Sequence, residues 1–334
     1  KRGSMPNFVT LEIREAIRQA IDEEMTRDPN VCILGEEVAE YNGAYKVTKN
    51  LLDKWGPTRV IDTPISEAAF SGIGIGAALT GLRPIIEFMS WNFSLVALAA
   101  DQIISHAAKM YYMTGGKFAV PIVFRGANGA AAQVSCQHSH CVEALYANIP
   151  GLIVIAPSTP ADAKGLLKSA IRDNNPVLFL ENELDYNLKG EVPSEEYLIP
   201  IGKARIVQEG KDLTIISHSR MVSIVEQAAK TAKQRWGLSI ETIDLRTIKP
   251  LDVATLLTSV KKTGNCLVVE EGHYFCGISA EVITTITEHI FDYLDHPPLR
   301  VCQKETPMPY NKTLEMATLP NINRILDAIE KIMR

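Results

Sequence analysis

The chain has 334 residues, 46% of them hydrophobic, with 34 basic against 39 acidic side chains and a net charge of −5. That is enough apolar material for a full core and enough length for two domains of ordinary size. The mild acidity and the lack of a Lys/Arg-dense stripe argue against nucleic acid or an anionic membrane surface as the main partner, and no apolar run reaches the length of a spanning helix. Lys1-Arg2-Gly3-Ser4-Met5 reads as an expression leader ahead of the native start, with no secretory signal expected.

In chain order, Thr10 is predicted to cap a helix whose apolar residues Ile13, Ala16, Ile17, Ala20, Ile21 and Met25 repeat at helical spacing. Val31 to Leu34 reads as a strand with Gly35-Glu36-Glu37 at its carboxyl end, where open α/β sheets place ligand-binding groups. A loop Tyr41–Tyr45 and a helix from Val47 to Trp55 follow. The next stretch, Arg59 to Leu79, is the most informative in the chain. Val60-Ile61 ends at Asp62 and the Thr63-Pro64 turn, Ser66 stands at an N-cap position, and Glu67 opens a helix rich in Ala, Gly and Ile with no other charge. An acid at a helix start is favoured by the dipole, and alone would mark only a surface cap. A helix apolar on all sides is expected to be buried, however, so Glu67 is placed at the mouth of a buried interface, where a carboxyl needs a partner. The Gly-x-Gly-x-Gly run lacks the spacing of a dinucleotide fingerprint.

A strand from Arg83 to Met89 is expected next, then Ser90-Trp91-Asn92-Phe93-Ser94 and an apolar helix ending near Tyr111-Tyr112. Val120 to Phe124 reads as a strand, and Arg125-Gly126-Ala127-Asn128-Gly129 as a loop matching no phosphate-binding fingerprint. Strands at Leu152–Ala156 and Val177–Leu180 flank a helix capped by Thr159-Pro160 and ending near Arg172. This alternation means a doubly wound, mostly parallel sheet. The polar run Asp185–Tyr197 is the expected boundary, dividing the chain into 6–185, a linker 186–198, and a smaller α/β unit 199–334. In that second unit, strands are predicted near Leu213–Ser217, Ser239–Ile243, Cys266–Glu270 and Leu299–Val301. Helices are predicted near Ser223–Trp236, Val253–Lys261, Ser279–Ile290 and Asn321–Met333.

The six cysteines are scattered, several inside apolar runs, as in an intracellular protein with reduced, buried thiols. Cys136, His138, His140 and Cys141 lie too close in sequence to wrap one tetrahedral zinc, so a site histidine beside buried thiols is the expected arrangement. His218 and His273 are read as structural.

Taken together, G-E-E-V-A-E-Y-N-G-A-Y-K-V-T, V-I-D-T-P-I-S-E, G-L-R-P-I-I-E-F-M, A-A-K-M-Y-Y-M-T-G-G, V-P-I-V-F-R-G, Q-H-S, S-A-I-R-D-N-N-P-V and E-T-I-D-L-R-T-I-K-P-L-D are specific. Over nearly the whole length after Met5 the chain resembles the β subunits of the thiamine-diphosphate-dependent 2-oxo acid dehydrogenases, most closely the pyruvate-specific branch. One departure stands out. The F-S-L-V-A-L-A-A segment after Phe93 is slightly longer than the family's spacing. The resemblance implies a pyrimidine-binding α/β domain followed by a transketolase C-terminal-like domain. It implies that Glu67 hydrogen-bonds the ring nitrogen of the cofactor's aminopyrimidine, that Met89 and Phe93 line that ring, and that Glu36 lies near the same cofactor end. It gives His138 a role when the acyl group passes to a lipoyl group, and makes Ile122, Ala170, Asp173 and Asn175 a potassium site built largely from backbone oxygens.

The family's diphosphate is held through Mg²⁺ by a G-D-G motif that this sequence lacks. The resemblance therefore implies a separate α subunit supplying the metal site, an α2β2 heterotetramer, and docking to a dihydrolipoyl acetyltransferase core. Pyruvate is the implied substrate, in a bacterial cytoplasm or a mitochondrial matrix. Branched-chain 2-oxo acid or acetoin dehydrogenase β subunits are the alternative within the class. A non-catalytic scaffold conflicts with Glu67 and His138 both being in place, and a lone-chain transketolase-type enzyme with the missing G-D-G.

Overall fold

The computed structural model describes residues 7–96 and 98–333, and of Val96 only the backbone. The expected leader Lys1–Met5, Pro6, Ala97 within F-S-L-V-A-L-A-A, and Arg334 lie outside the described residues. Contacts divide the chain into two compact units, Lys1–Asn128 with Tyr146–Ile201, and Gly129–Leu145 with Gly202–Arg334. The sequence-based division follows chain order, whereas the contacts group Gly129–Leu145 with the second unit.

In the first unit β1 (Phe8–Glu12) is followed by β2 (Val31–Gly35), β3 (Val60–Asp62), β4 (Arg83–Ser90), β5 (Val123–Asn128), β6 (Ile153–Ile155), β7 (Val177–Asn182) and β8 (Lys189–Pro193). Strands run β6-β7-β5-β4-β2-β3 with every pairing parallel. Their near-continuous Val/Ile/Leu/Phe runs are those of strands covered on both faces. Helices Ile13–Arg27 and Pro160–Arg172 pack together on one face, burying Ile13, Ile17, Ile21, Leu166 and Ile171 against Ile33, Ile85 and Phe179. The Thr159 hydroxyl accepts the Asp162 amide at 3.1 Å, the local cap the sequence announces.

Several elements differ from expectation. Thr10 does not cap a helix: it lies in β1, which pairs antiparallel with β8, and the helix starts at Ile13. The supposed linker thus contains a strand. The helix expected from Val47 is confined to Leu51–Trp55, since Lys46 and Asn50 adopt left-handed φ values of 62° and 63°. The helix expected after Ser94 is interrupted. Asn92–Val96 and Ala99–Asp101 are separated by Leu98 at φ 60°, and a π-helical segment Gln102–Ala107 precedes Met110–Met113. Arg125–Asn128, read as a loop, completes β5.

The helix Glu67–Leu79 is not buried all round. Gly74 and Phe70 face the sheet, while Ala69, Ile73 and Gly76 form an open stripe, Ile73 being 62% exposed. Two cysteines also depart from the buried expectation, Cys136 and Cys276 being exposed.

In the second unit β9 (Arg205–Gln208), β10 (Leu213–Ser217), β11 (Ile240–Asp244), β12 (Thr247–Lys249), β13 (Cys266–His273) and β14 (Leu299–Gln303) succeed one another. Five of them form a sheet β14-β13-β10-β11-β9, parallel except for the edge strand β9. Helices Met221–Trp236 and Ile322–Met333 cover one face, burying Met221, Val225, Ile325 and Ile329 against Leu213, Ile215 and Leu267. The sequence reading missed β9, β12 and the helix Lys312–Thr318.

Candidate active site

The carboxyl end of the first sheet brings two acids together. Glu36 follows the last residue of β2, and Glu67 is the first residue of its helix. The chain is shaped locally to put them there. The Thr63 amide donates to the Gly35 carbonyl at 3.0 Å. Asp62 accepts the Ala39 amide at 2.7 Å and the Glu40 amide at 3.1 Å, so the loop after Glu36 is tied to the turn that starts the helix. Gly35 is required by close approach: a Cβ there would lie 2.6 Å from the Glu87 carbonyl oxygen. Ser66 occupies the N-cap position without a side-chain capping bond, leaving Glu67 as the polar group at that helix end.

Both carboxyls are buried, at 7% exposure for Glu36 and 4% for Glu67. Burial, then the charge and hydrogen bond of Glu67, then the charge of Glu37, push the Glu36 carboxyl up to about 7. Two carboxyls can hydrogen-bond only with a proton between them, and a raised Glu36 supplies it. The Oε1 atom of Glu36 has no hydrogen-bond partner among the described residues. The pair is therefore a buried acid that holds a proton near neutrality and retains an unused acceptor.

Met89 sits at the carboxyl end of β4, and Phe93 in the short helix Asn92–Val96 that follows; both are half-buried. The helix begun by Glu67 packs on β4, with the Phe70 and Phe88 rings 6.1 Å apart. Behind this wall lies a charge network that sequence reasoning missed. Arg125 is fully buried and stands opposite Glu87 in register. Its guanidinium donates to Glu87 and to both oxygens of Glu181, the Nε bond being 2.6 Å. Tyr186 donates to Glu181 at 2.7 Å and stacks on Tyr45 at 4.7 Å. The signal available was an Arg in an apolar strand together with the lone acids of P-I-I-E-F and L-F-L-E.

His138 ends a 3₁₀ turn, Cys136–His138, in the second unit, ahead of the helix Glu143–Ala147. His140 and His273 line a cavity of about 520 Å³ with Cys136 and Glu305. Burial and the nearby His273 and His138 imidazoles hold His140 below its ordinary value. His218 is buried, its Nε2 3.7 Å from a Glu143 oxygen. Burial alone would lower that imidazole, but Glu143, with Glu270 and Asp244 beyond, carries it above its ordinary value. His273 is exposed.

Of the four expected potassium ligands, the Ile122 carbonyl accepts the Val177 amide at 2.9 Å and the Ala170 carbonyl accepts the Asp173 amide at 3.2 Å. The Asp173 carbonyl accepts from the Arg83 guanidinium at 3.0 Å, and the Asp173 carboxylate accepts the Asn175 amide at 2.8 Å. Among the described residues no group of three or more His, Cys, Asp or Glu side chains is arranged to hold a metal ion.

Comparison with known proteins sets this geometry in a family. Residues 9–189 match the family model "Transketolase, pyrimidine binding domain" and residues 202–325 match "Transketolase, C-terminal domain". The pyruvate dehydrogenase E1 component subunit beta of Rhizobium meliloti (strain 1021) is 52% identical over 97% of this chain and 70% of its own length. The mitochondrial subunit of Dictyostelium discoideum is 52% identical over 96% of this chain and 90% of its own. That of Bos taurus is 51% identical over 98% and 92%. A solved structure described as a split gene transketolase, an inactive beta4 tetramer, shares the fold with a TM-score of 0.76 at 19% identity, covering 97% of this chain and 98% of that one. Two α/β units of transketolase type, with half the residues of these relatives retained over nearly the full length, show that the chain belongs to the family of pyruvate dehydrogenase E1 component β subunits, thiamine-diphosphate-dependent oxidoreductase components.

Proposed function

We propose that this chain works with a separate α subunit in an α2β2 heterotetramer, decarboxylating pyruvate oxidatively and passing the acetyl group to lipoyl groups of a dihydrolipoyl acetyltransferase core. In a bacterium the assembly belongs in the cytoplasm, in a eukaryote in the mitochondrial matrix. The observation that carries the reading is the buried Glu36–Glu67 pair, one acid of which holds its proton to about pH 7 while Oε1 of Glu36 is left unpartnered. Such a pair suits an aminopyrimidine, which offers both a ring nitrogen and an exocyclic amine, and the half-buried Met89 and Phe93 suit its apolar faces. Thiamine diphosphate, when bound, supplies the carbon nucleophile for the 2-oxo acid carbonyl.

The chain's own residues have the following tasks. Glu67 holds or gives a proton at the pyrimidine ring nitrogen, and Glu36 keeps that proton within reach. Met89 and Phe93 exclude water and fix the ring. His138 carries a proton for the lipoyl sulfur during acyl transfer. Mg²⁺ and the diphosphate fall to the α subunit, since no G-D-G is present here. The open stripe of Ala69, Ile73 and Gly76 offers that subunit an uncharged apolar surface, with Ile73 projecting between two small residues. The two units take the roles of pyrimidine-binding and transketolase C-terminal-like domains. A potassium ion at Ile122, Ala170, Asp173 and Asn175 would share the Asp173 carbonyl with Arg83.

The test is pyruvate decarboxylation, read by reduction of an artificial acceptor, with this chain alone, the α subunit alone, and both. Activity confined to the pair supports a shared site; activity in this chain alone overturns it.

A further inference from the structure

The stretch Gly129–Leu145, which carries His138, is fastened at three points within the second unit. The Ala130 amide donates to Glu271 Oε1 at 2.5 Å, and the Gln133 amide donates to Glu315 Oε2 at 2.9 Å. Beyond the histidine, Glu143 faces the buried His218. Glu271 stands near the end of β13 and Glu315 in the helix Lys312–Thr318, which Asn311 caps through the Thr313 and Leu314 amides. Both acids are buried. A buried carboxylate is costly unless hydrogen bonds satisfy it, and a bond from a backbone amide to an ionised oxygen is roughly twice as strong as a neutral one. Within this stretch the backbone takes positive φ values that side-chain-bearing residues rarely adopt, 65° at Gln133 and 69° at Ser135. Such residues persist where their surroundings over-determine them. The fastened amides lie immediately before the 3₁₀ turn Cys136–His138, and the Ser139 hydroxyl closes that turn on the Ser135 carbonyl at 2.8 Å.

We propose that Glu271 and Glu315 are positioning residues for His138, clamping the backbone of its loop so that the imidazole is presented for acyl transfer. This rests on the role given to His138 above. The clamp acts on the transfer step and leaves decarboxylation to the residues of the first unit.

The experiment uses Glu315→Ala, Glu315→Gln and, as reference, His138→Gln, each assembled with the α subunit. Three readouts are taken: acetyl transfer to an isolated lipoyl domain, decarboxylation with an artificial acceptor, and amide hydrogen exchange of the peptide spanning 129–140. Glu315→Ala is expected to speed exchange at Gln133 and to lower kcat for transfer by about tenfold or more, with the artificial-acceptor rate kept within about twofold. Glu315→Gln, which retains a carbonyl acceptor, is expected to recover transfer to within about threefold. Equal losses in both rates, or faster exchange with unchanged transfer while His138→Gln is impaired, overturn the proposal. Unchanged exchange in Glu315→Ala overturns it whatever His138 does. A His138→Gln enzyme with normal transfer instead refutes the role assigned to that histidine, and exchange alone then judges the clamp. Glu271→Ala, which removes the acceptor of the Ala130 amide, provides a second clamp-breaking variant with the same readouts should Glu315→Ala fail to fold.

Discussion

Replacing Arg125 by Met is expected to be among the most damaging single changes in the first unit. Met keeps most of the apolar stem and removes the guanidinium, so the chief loss is electrostatic, with a small void added where the guanidinium lay. Arg125 is the positive partner of Glu87 and Glu181, and all three are buried at the centre of the parallel sheet. Glu181 keeps the Tyr186 hydroxyl, whereas Glu87 loses its cation in a site where burial already pushes its carboxyl up. Removing one partner from a buried pair costs about 3–5 kcal/mol. For a unit of this size that corresponds to a melting temperature lower by about 6–20 °C. The sign with pH follows from the orphaned acids. Protonation relieves them, so Arg125→Met recovers stability as pH falls from 8 toward 5.5, and adding Glu87→Gln recovers about half of the loss at pH 8. Urea unfolding of the isolated chain, followed by circular dichroism at both pH values, measures this. A loss below about 1 kcal/mol at pH 8, or the same loss at both pH values, would refute the reasoning.

Glu36 gives a second pH signature. Its carboxyl rises from 4.5 to about 7 on folding, so the folded chain takes up a proton between those values and loses stability as pH climbs through 7. Glu36→Gln should flatten that fall and melt higher than the parent at pH 8 but not at pH 4.5; parallel melting curves would count against it. Two glycines of one helix should behave oppositely. At Gly76 an added Cβ meets nothing within 4 Å, so Gly76→Ala gains about 0.5–1 kcal/mol in the isolated chain. At Gly74 it meets Ile86 Cδ1 at 2.5 Å and Cγ1 at 3.0 Å, so Gly74→Ala loses about 1–3 kcal/mol. Chemical denaturation separates the two, and equal effects would contradict the packing described. If the Asp173 turn takes potassium, the chain melts higher in KCl than in LiCl at equal ionic strength; identical melting in the two salts would remove that site.

The parts of the fold that were legible are those whose signal is local. Thr159-Pro160 specifies its helix through a hydroxyl three residues from the amide it caps, and the Val/Ile runs of β2, β10 and β13 have no other use than a covered sheet. Thr10 misled because its capping chemistry is equally local, while the β8 strand that recruits it lies far along the chain. Arg125-Gly126-Ala127-Asn128 has the composition of a turn, and only carboxylates from two other strands make a buried Arg acceptable there. The π-helical Gln102–Ala107 breaks a pattern that a regular helical period reads as continuous. At the site, Glu67 was conspicuous as the one charge on an apolar helix. Its partnership with Glu36, and the hold of Glu271 and Glu315 on the His138 loop, depend on tertiary neighbours and left no mark in sequence spacing. The family itself was legible from motifs spread over the whole chain, and the relatives from bacteria and eukaryotes bear that reading out, with pyruvate rather than a branched-chain acid in their names.

The central claim is that Glu67 is the acid that activates the cofactor at a shared site. Its most direct test is the steady-state rate of pyruvate decarboxylation, with an artificial acceptor, for the α subunit combined with wild-type chain or with Glu67→Gln, each first shown to assemble and to bind thiamine diphosphate. Loss of a positioned proton carrier costs about 10²–10⁴-fold, and a fall in kcat of that size with cofactor still bound is the predicted result. A Glu67→Gln enzyme that turns over at the wild-type rate would contradict the account and return Glu67 to the role of a helix-terminal cap.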